Sequence, residues 1–145
     1  MTRVSVSIKR RETNFNKVTD SYRKKAIRLI GQAGNMVRNT AVTSIQQGSK
    51  NGRVYQKYTP RRTHTASAAG QPPATDTGFL VSNITHQFAK KGKTMASKVL
   101  SKANYSEFLE FGTRNMGARP FLQPALEKNR AAIKQKFIKE NLLKK

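Results

Sequence analysis

NFNKVTDSYRKKAIRLIGQAGNMVRNTAVTSIQQG, Asn14–Gly48, is the stretch that decides the architecture. Within it Val18, Tyr22, Ala26, Ile30, Ala33, Val37, Ala41 and Ile45 recur every three or four residues, the spacing that gathers side chains on one face of an α-helix. Asn14 is a residue type that caps helix starts, and Gly48 is a natural C-terminal stop. The stretch predicts one amphipathic helix on the order of 50 Å long at 1.5 Å per residue. Such a rod outreaches the small core that a chain of 145 residues can build. Gly31 and Gly34 each lower helix stability by roughly 1 kcal/mol relative to Ala. Their presence points to close packing or a bend, and both are expected at a contact with a second subunit.

Upstream, Val4, Val6 and Ile8 alternate with Arg3, Ser5, Ser7 and Lys9. This two-residue period predicts a strand over residues 3–9. Downstream, Ser49–Asp76 loses all periodicity and fills with Gly, Pro, Ser, Thr, Lys and Arg. It exceeds the roughly 15 residues usual for a loop inside a compact domain. It reads as an extended basic arm, either solvated or ordered by partners. Tyr55 and Tyr58 stand there among Lys50, Arg53, Lys57, Arg61 and Arg62, offering stacking faces beside phosphate-seeking charges. Those five cations are the candidate contacts to a DNA backbone or an acidic partner.

The remaining elements are short. Thr77–Ser82 reads as a helical turn. Ile84, His86 and Phe88 alternate up to the turn Lys91-Gly92-Lys93, and Met95–Leu100 follows as the second strand of a hairpin. Tyr105, Phe108, Leu109 and Phe111 fit a short helix over Ala103–Phe111, ended by Gly112. Pro120 and Pro124 sit where a first helical turn tolerates proline, and an amphipathic helix runs from there toward a Lys-rich end. The fold class is therefore α+β in one domain, 1–145. A small antiparallel sheet, made of the N-terminal strand and the hairpin, is packed by the long helix and the C-terminal helices.

Charge bounds the function. Lys and Arg number 29 against 7 Asp and Glu, a formal charge of +22, and the isoelectric point is about 11.1. A subunit so charged repels itself, which calls for a polyanion or an acidic protein neighbour. Cysteine is absent, so no disulfide or thiolate metal site can form. The N-terminal residues lack the apolar run of a signal peptide, and no stretch approaches the length of a membrane span. The seven carboxylates are scattered apart from Glu107 and Glu110, which fit a solvated helical face. His64 and His86 lack the spacing of a zinc pair, and the Gly-rich stretches match no phosphate-binding motif. No enzyme, cofactor or metal is expected.

Two stretches together carry a resemblance. SAAGQPPATDTGFLVSNI, Ser67–Ile84, resembles a Gly-x-Pro-Pro, Asp-Thr-Gly-x-Leu, Ser-x-Ile run, and YSEFLEFGTRNMGARPFLQPALEK, Tyr105–Lys128, resembles a Tyr, Glu-Phe-Gly-Thr, Arg-Pro-Phe-Leu-x-Pro-Ala signature. Order and spacing are similar to those of the neck or tail-completion proteins of long-tailed bacteriophages. The resemblance implies a structural virion protein: a ring of six copies, or twelve, joining head to tail around the DNA exit channel. It implies head-closure and tail-terminator or tail-tube proteins as neighbours, with synthesis in the host cytoplasm. The alternative is a free basic nucleic-acid-binding protein. The motif residues Asp76, Gly78, Leu80, Glu110, Phe111, Gly112, Thr113, Arg119, Pro120 and Phe121 are expected to be structural or to meet another subunit. Asp76 is expected to bond its own downstream backbone, with Phe79 and Leu80 entering the core. Glu110 and Arg119 are expected to pair across the Gly112–Gly117 loop, with Phe111, Phe121 and Leu122 buried on either side.

Overall fold

The computed structural model describes residues 2–91 and 94–142. Helix α1, Thr2–Gln47, is followed by strands β1, Val54–Tyr58, and β2, Arg61–Thr65. A single turn, α2, Phe79–Ser82, leads into β3, Ile84–Lys91, and β4, Thr94–Ser101. Helices α3, Ser106–Phe111, and α4, Leu122–Lys139, complete the chain. The fold is α+β, with two separate two-stranded antiparallel sheets, β1–β2 and β3–β4.

Residues 3–9 are helical, which corrects the strand expected there, and Asn14 lies inside α1 and not at its start. No Gly or Pro interrupts the chain before Gly31, so the helical hydrogen-bond ladder extends without a break. A strand at the same place would need a partner edge for its backbone groups, whereas a helix satisfies them internally. The small sheet consequently lacks the N-terminal strand. The expected Gly92-Lys93 turn lies outside the described residues, but the register of its flanking strands, from Ile84 opposite Ser101 to Lys91 opposite Thr94, is that of a hairpin.

The core sits on the C-terminal half of α1. Val37, Ala41 and Ile45, one helical turn apart, are buried with Leu80, Ile84, Ala103, Phe121 and Ala125. Phe121, Ile45 and Ile84 are the largest fully buried side chains, and truncating Phe121 to Ala would cost about 3–5 kcal/mol. Helix α4 runs antiparallel to α1: Asn129 Nδ2 donates to Thr40 Oγ1 at 2.8 Å, and farther along Glu140 pairs with Lys25 at 3.6 Å. Arg38 Nε donates to the carbonyl of Ile84 at 2.9 Å, fastening the start of β3 to the same helix.

The β3–β4 hairpin crosses α1 at the two glycines. A Cβ built on Gly34 would fall 2.0 Å from Ser97 Oγ and 2.3 Å from the His86 ring, and one on Gly31 would fall 2.9 Å from the Phe88 ring. The absent side chains therefore make room for the chain's own hairpin. That intrachain contact accounts for both glycines without a second subunit.

Candidate functional site

The stretch expected to be a loop without regular structure contains a hairpin. Val54 pairs with Thr65 and Tyr58 with Arg61, so that Thr59 and Pro60 form the tip, joined by a cis peptide bond, as in turns that carry cis-proline at their third position. Hydrogen bonds from Gly52 N to Ala66 O and from Ala66 N to Arg53 O, both 2.9 Å, prolong the ribbon toward its base. There Gln71 Oε1 accepts from Asn51 N and Ala68 N, each at 3.0 Å.

The five candidate cations divide by partner. Lys50 Nζ donates to Pro72 O at 2.9 Å and to Ser44 O at 3.4 Å, tying the end of α1 to the base of the arm. Desolvation pulls its pKa below the ordinary 10.5. Lys57 and Arg62 stand opposite each other in the ribbon, where two like charges repel, and Asp76 pairs with both. Its hydrogen bond with Lys57, then the charges of Lys57, Arg62 and His64, hold the Asp76 carboxyl below its usual 3.8 against an opposing desolvation. Asp76 therefore clamps the arm, where a bond to its own downstream backbone was expected. It is Thr77 Oγ1 that accepts from Phe79 N, at 3.4 Å. Arg53 and Arg61 point outward. The Arg53 guanidinium lies 5.5 Å from the Tyr55 ring centroid, and Arg61 is exposed opposite Tyr58, itself 79% exposed.

The two motif stretches fasten to each other behind the arm. Gly70 N donates to Ala118 O at 2.8 Å. Arg119 Nε donates to the carbonyl of buried Ser67 at 3.1 Å, and Arg119 N donates to Leu109 O at 2.7 Å. Arg119 is thus not the partner of Glu110. The Glu110 carboxylate instead accepts from the backbone N–H groups of Phe121, Leu122 and Gln123 at 2.9, 3.1 and 2.8 Å. These are orphan donors at the start of α4, where Phe121 occupies the cap position and offers no acceptor. Pro120 immediately precedes them. Gly112 has φ of 79°, and a Cβ there would fall 2.8 Å from Met116 O. It turns the chain into a tight bridge in which Thr113 N donates to Met116 O at 2.8 Å.

The aromatic residues also divide. Leu80 and Phe121 are buried as expected, and Leu122 is half-buried. Phe79, just after Gly78 at the start of α2, stays exposed with its ring 6.2 Å from that of Tyr105. Phe111 is 74% exposed and Phe108 is exposed beside it on α3, so the second motif carries an uncovered aromatic face. Among the described residues no group of His, Asp and Glu could hold a metal ion, and no helix is long and apolar enough to cross a membrane.

The functional features missed from sequence are the cap made by Glu110 and the clamp made by Asp76. A helix start that carries no acceptor of its own, at Pro120-Phe121-Leu122, was the available signal for the first. The pairing of Lys57 with Arg62 was the signal for the second, and it needed the hairpin register.

Neither a curated protein nor a solved structure matches the chain. The family described as "Bacteriophage HK97-gp10, putative tail-component" matches residues 9–112, more than half of the chain. The match takes in the long helix from residue 9 onward, the arm, the whole first motif and the second as far as Gly112. On that match the chain belongs to the HK97-gp10-like family of bacteriophage tail components.

Proposed function

We propose that this protein is a structural subunit of the phage neck, one domain repeated in a ring that joins head to tail around the DNA exit channel. The single observation that carries the reading is the family match over residues 9–112. The outward aromatic face of Phe108 and Phe111 supports it, because neighbouring virion proteins would cover such a patch. Six copies are favoured and twelve are compatible, with head-closure and tail-terminator or tail-tube proteins on either side. The +22 charge is then balanced by DNA or by an acidic neighbouring ring. Arg53 and Arg61 serve that contact, while Lys50, Lys57 and Arg62 hold the arm in shape. No step of this role needs catalysis.

Electron microscopy of lysates from a phage lacking this gene tests the reading. Filled heads and finished tails that fail to join are expected, with joining restored by the purified protein. Joined, infectious particles made without the protein would refute it. The second reading, a free basic nucleic-acid-binding protein, draws on the exposed Arg53, Tyr55, Tyr58 and Arg61 of the arm. It requires tight, salt-sensitive binding to free duplex or RNA and absence of the protein from purified virions.

A further inference from the structure

The stripe of α1 that faces the core at Leu29, Val37, Ala41 and Ile45 continues with the same spacing to Val18 and Tyr22. There the chain no longer covers it: every residue from Val18 to Lys24 is exposed, Val18 by 53% and Tyr22 by 47%. Among the described residues, the ion pair that reaches farthest back along the helix joins Glu140 to Lys25. Before Lys25 the helix continues for 23 residues, 2–24, about 35 Å at 1.5 Å per residue, and its described side chains, Val18–Lys24, are all exposed. An uncovered helix gains little from its own propensity in water and is stabilised chiefly by packing of its apolar face.

The opposite feature lies on the body of the same chain. A groove of about 760 Å³ opens between α1, β4, α3 and α4, walled by Val37, Val99, Phe111, Leu122, Leu126 and Ile133. Leu126 is 49% exposed and Phe111 more so, so the groove is open to solvent along an apolar wall. Its volume accommodates several side chains. It also holds two of the chain's 7 carboxylates, Glu107 and Glu110, against one cation, Lys98. The helix ahead of Lys25 is basic in sequence, with seven Lys or Arg over residues 2–24 against Glu12 and Asp20. Rod and groove are therefore complementary in both apolarity and charge. They cannot meet within one copy. Tyr22 lies twelve residues, about 18 Å, from Gly34 at the groove wall along one continuous helix.

We infer that the groove receives the exposed part of α1 from a second copy of this chain, with Tyr22 and Val18 as its apolar anchors. The contact joins two different surfaces, so each copy donates a rod and accepts one. Head-to-tail contacts of this kind close into rings when the rotation allows. The inference rests on the ring reading and names the surfaces that build it.

The chain has no cysteine, which permits a clean cross-linking test. The double variant Tyr22→Cys, Leu126→Cys is treated with a short bis-maleimide, both as purified protein and in purified particles. A ladder of multiples is expected on denaturing gels. An equimolar mixture of the two single variants should stop at dimers, and a Tyr22→Cys, Tyr58→Cys control should give no ladder. Leu126→Lys, an exposed change, should raise the concentration at which light scattering detects oligomers at least tenfold while leaving the circular dichroism spectrum unchanged. Oligomers whose rod–groove pair cross-links no better than the control would overturn this contact and leave the ring standing. A monomer at every concentration, with no cross-linked multiples in particles, would overturn both.

Discussion

Replacing Glu110 by Ala isolates the contribution of a helix cap supplied from twelve residues away. Its carboxylate receives three backbone N–H groups at the start of α4, two of them in part-buried bonds to Phe121 and Leu122. Loss of a cap costs about 0.5–2 kcal/mol, and loss of a negative charge at a helix N-terminus adds about 0.3–1 kcal/mol. With two of the donors screened from water, Glu110→Ala should cost about 2–3 kcal/mol. For a domain of this size that corresponds to a fall in Tm of about 8 °C. Glu110→Gln keeps an acceptor oxygen and loses only the charge, so about 1 kcal/mol is expected. Glu107→Ala, an exposed change on the same short helix, should stay within about 0.5 kcal/mol. Thermal melts followed at 222 nm, repeated in urea to give free energies, separate the three. If Glu110→Ala melts with Glu107→Ala, the cap contributes nothing and the reasoning about α4 fails.

Three further outcomes follow from the same geometry. Gly34→Leu should prevent the hairpin from seating on α1, because Ser97 and His86 already occupy the space of a Cβ; the expected loss is about 3 kcal/mol or more, read as a lowered urea midpoint, and a normal midpoint with failed assembly would reverse this. Because the folded-state pKa of Asp76 is depressed, its contribution is complete above the unfolded value near 3.8 and is lost as pH falls through the folded value. The stability gap between wild type and Asp76→Asn should thus be full at pH 6 and shrink below pH 4, and a gap independent of pH would contradict the clamp. If the arm touches duplex DNA, Arg61→Ser should lower the slope of log affinity against log salt by about 0.9, whereas an unchanged slope would show that Arg61 makes no phosphate contact.

The periodicity of Val18 to Ile45 made α1 legible, and the alternation of Ile84, His86 and Phe88 did the same for the β3–β4 hairpin. Where two periods competed, over residues 3–9, alternation misled: Val4, Val6 and Ile8 fit either element, and helical continuity decided. The β1–β2 ribbon was hidden because its residues are nearly all polar and mostly exposed. Their strand character comes from cross-strand bonds and Asp76, not from an apolar face. Gly31 and Gly34 announced a close approach, but sequence alone could not say whether the approaching side chains, those of Phe88, His86 and Ser97, belonged to the same chain. The hydrogen-bond partners of Arg119 and Glu110 were illegible for a similar reason: both lie outside their own elements, at Ser67 and at Phe121–Gln123.

Because α1 is one unbroken helix from Thr2 to Gln47, its gripped part and the exposed stretch Val18–Lys24 move together as a lever. Beyond the Lys25–Glu140 pair, Leu29 is where α1 enters the core, and Val18 lies eleven residues, about 16 Å, from it. A tilt of about 10° where the hairpin seats on Gly31 and Gly34, roughly 20–24 Å from Val18, would carry Val18 by about 4 Å, close to the width of a side-chain contact. The crowding of His86, Phe88 and Ser97 against two glycines therefore sets the aim of a segment that touches none of them. A substitution at that seat would change the direction in which the rod points before it changed anything on the rod itself.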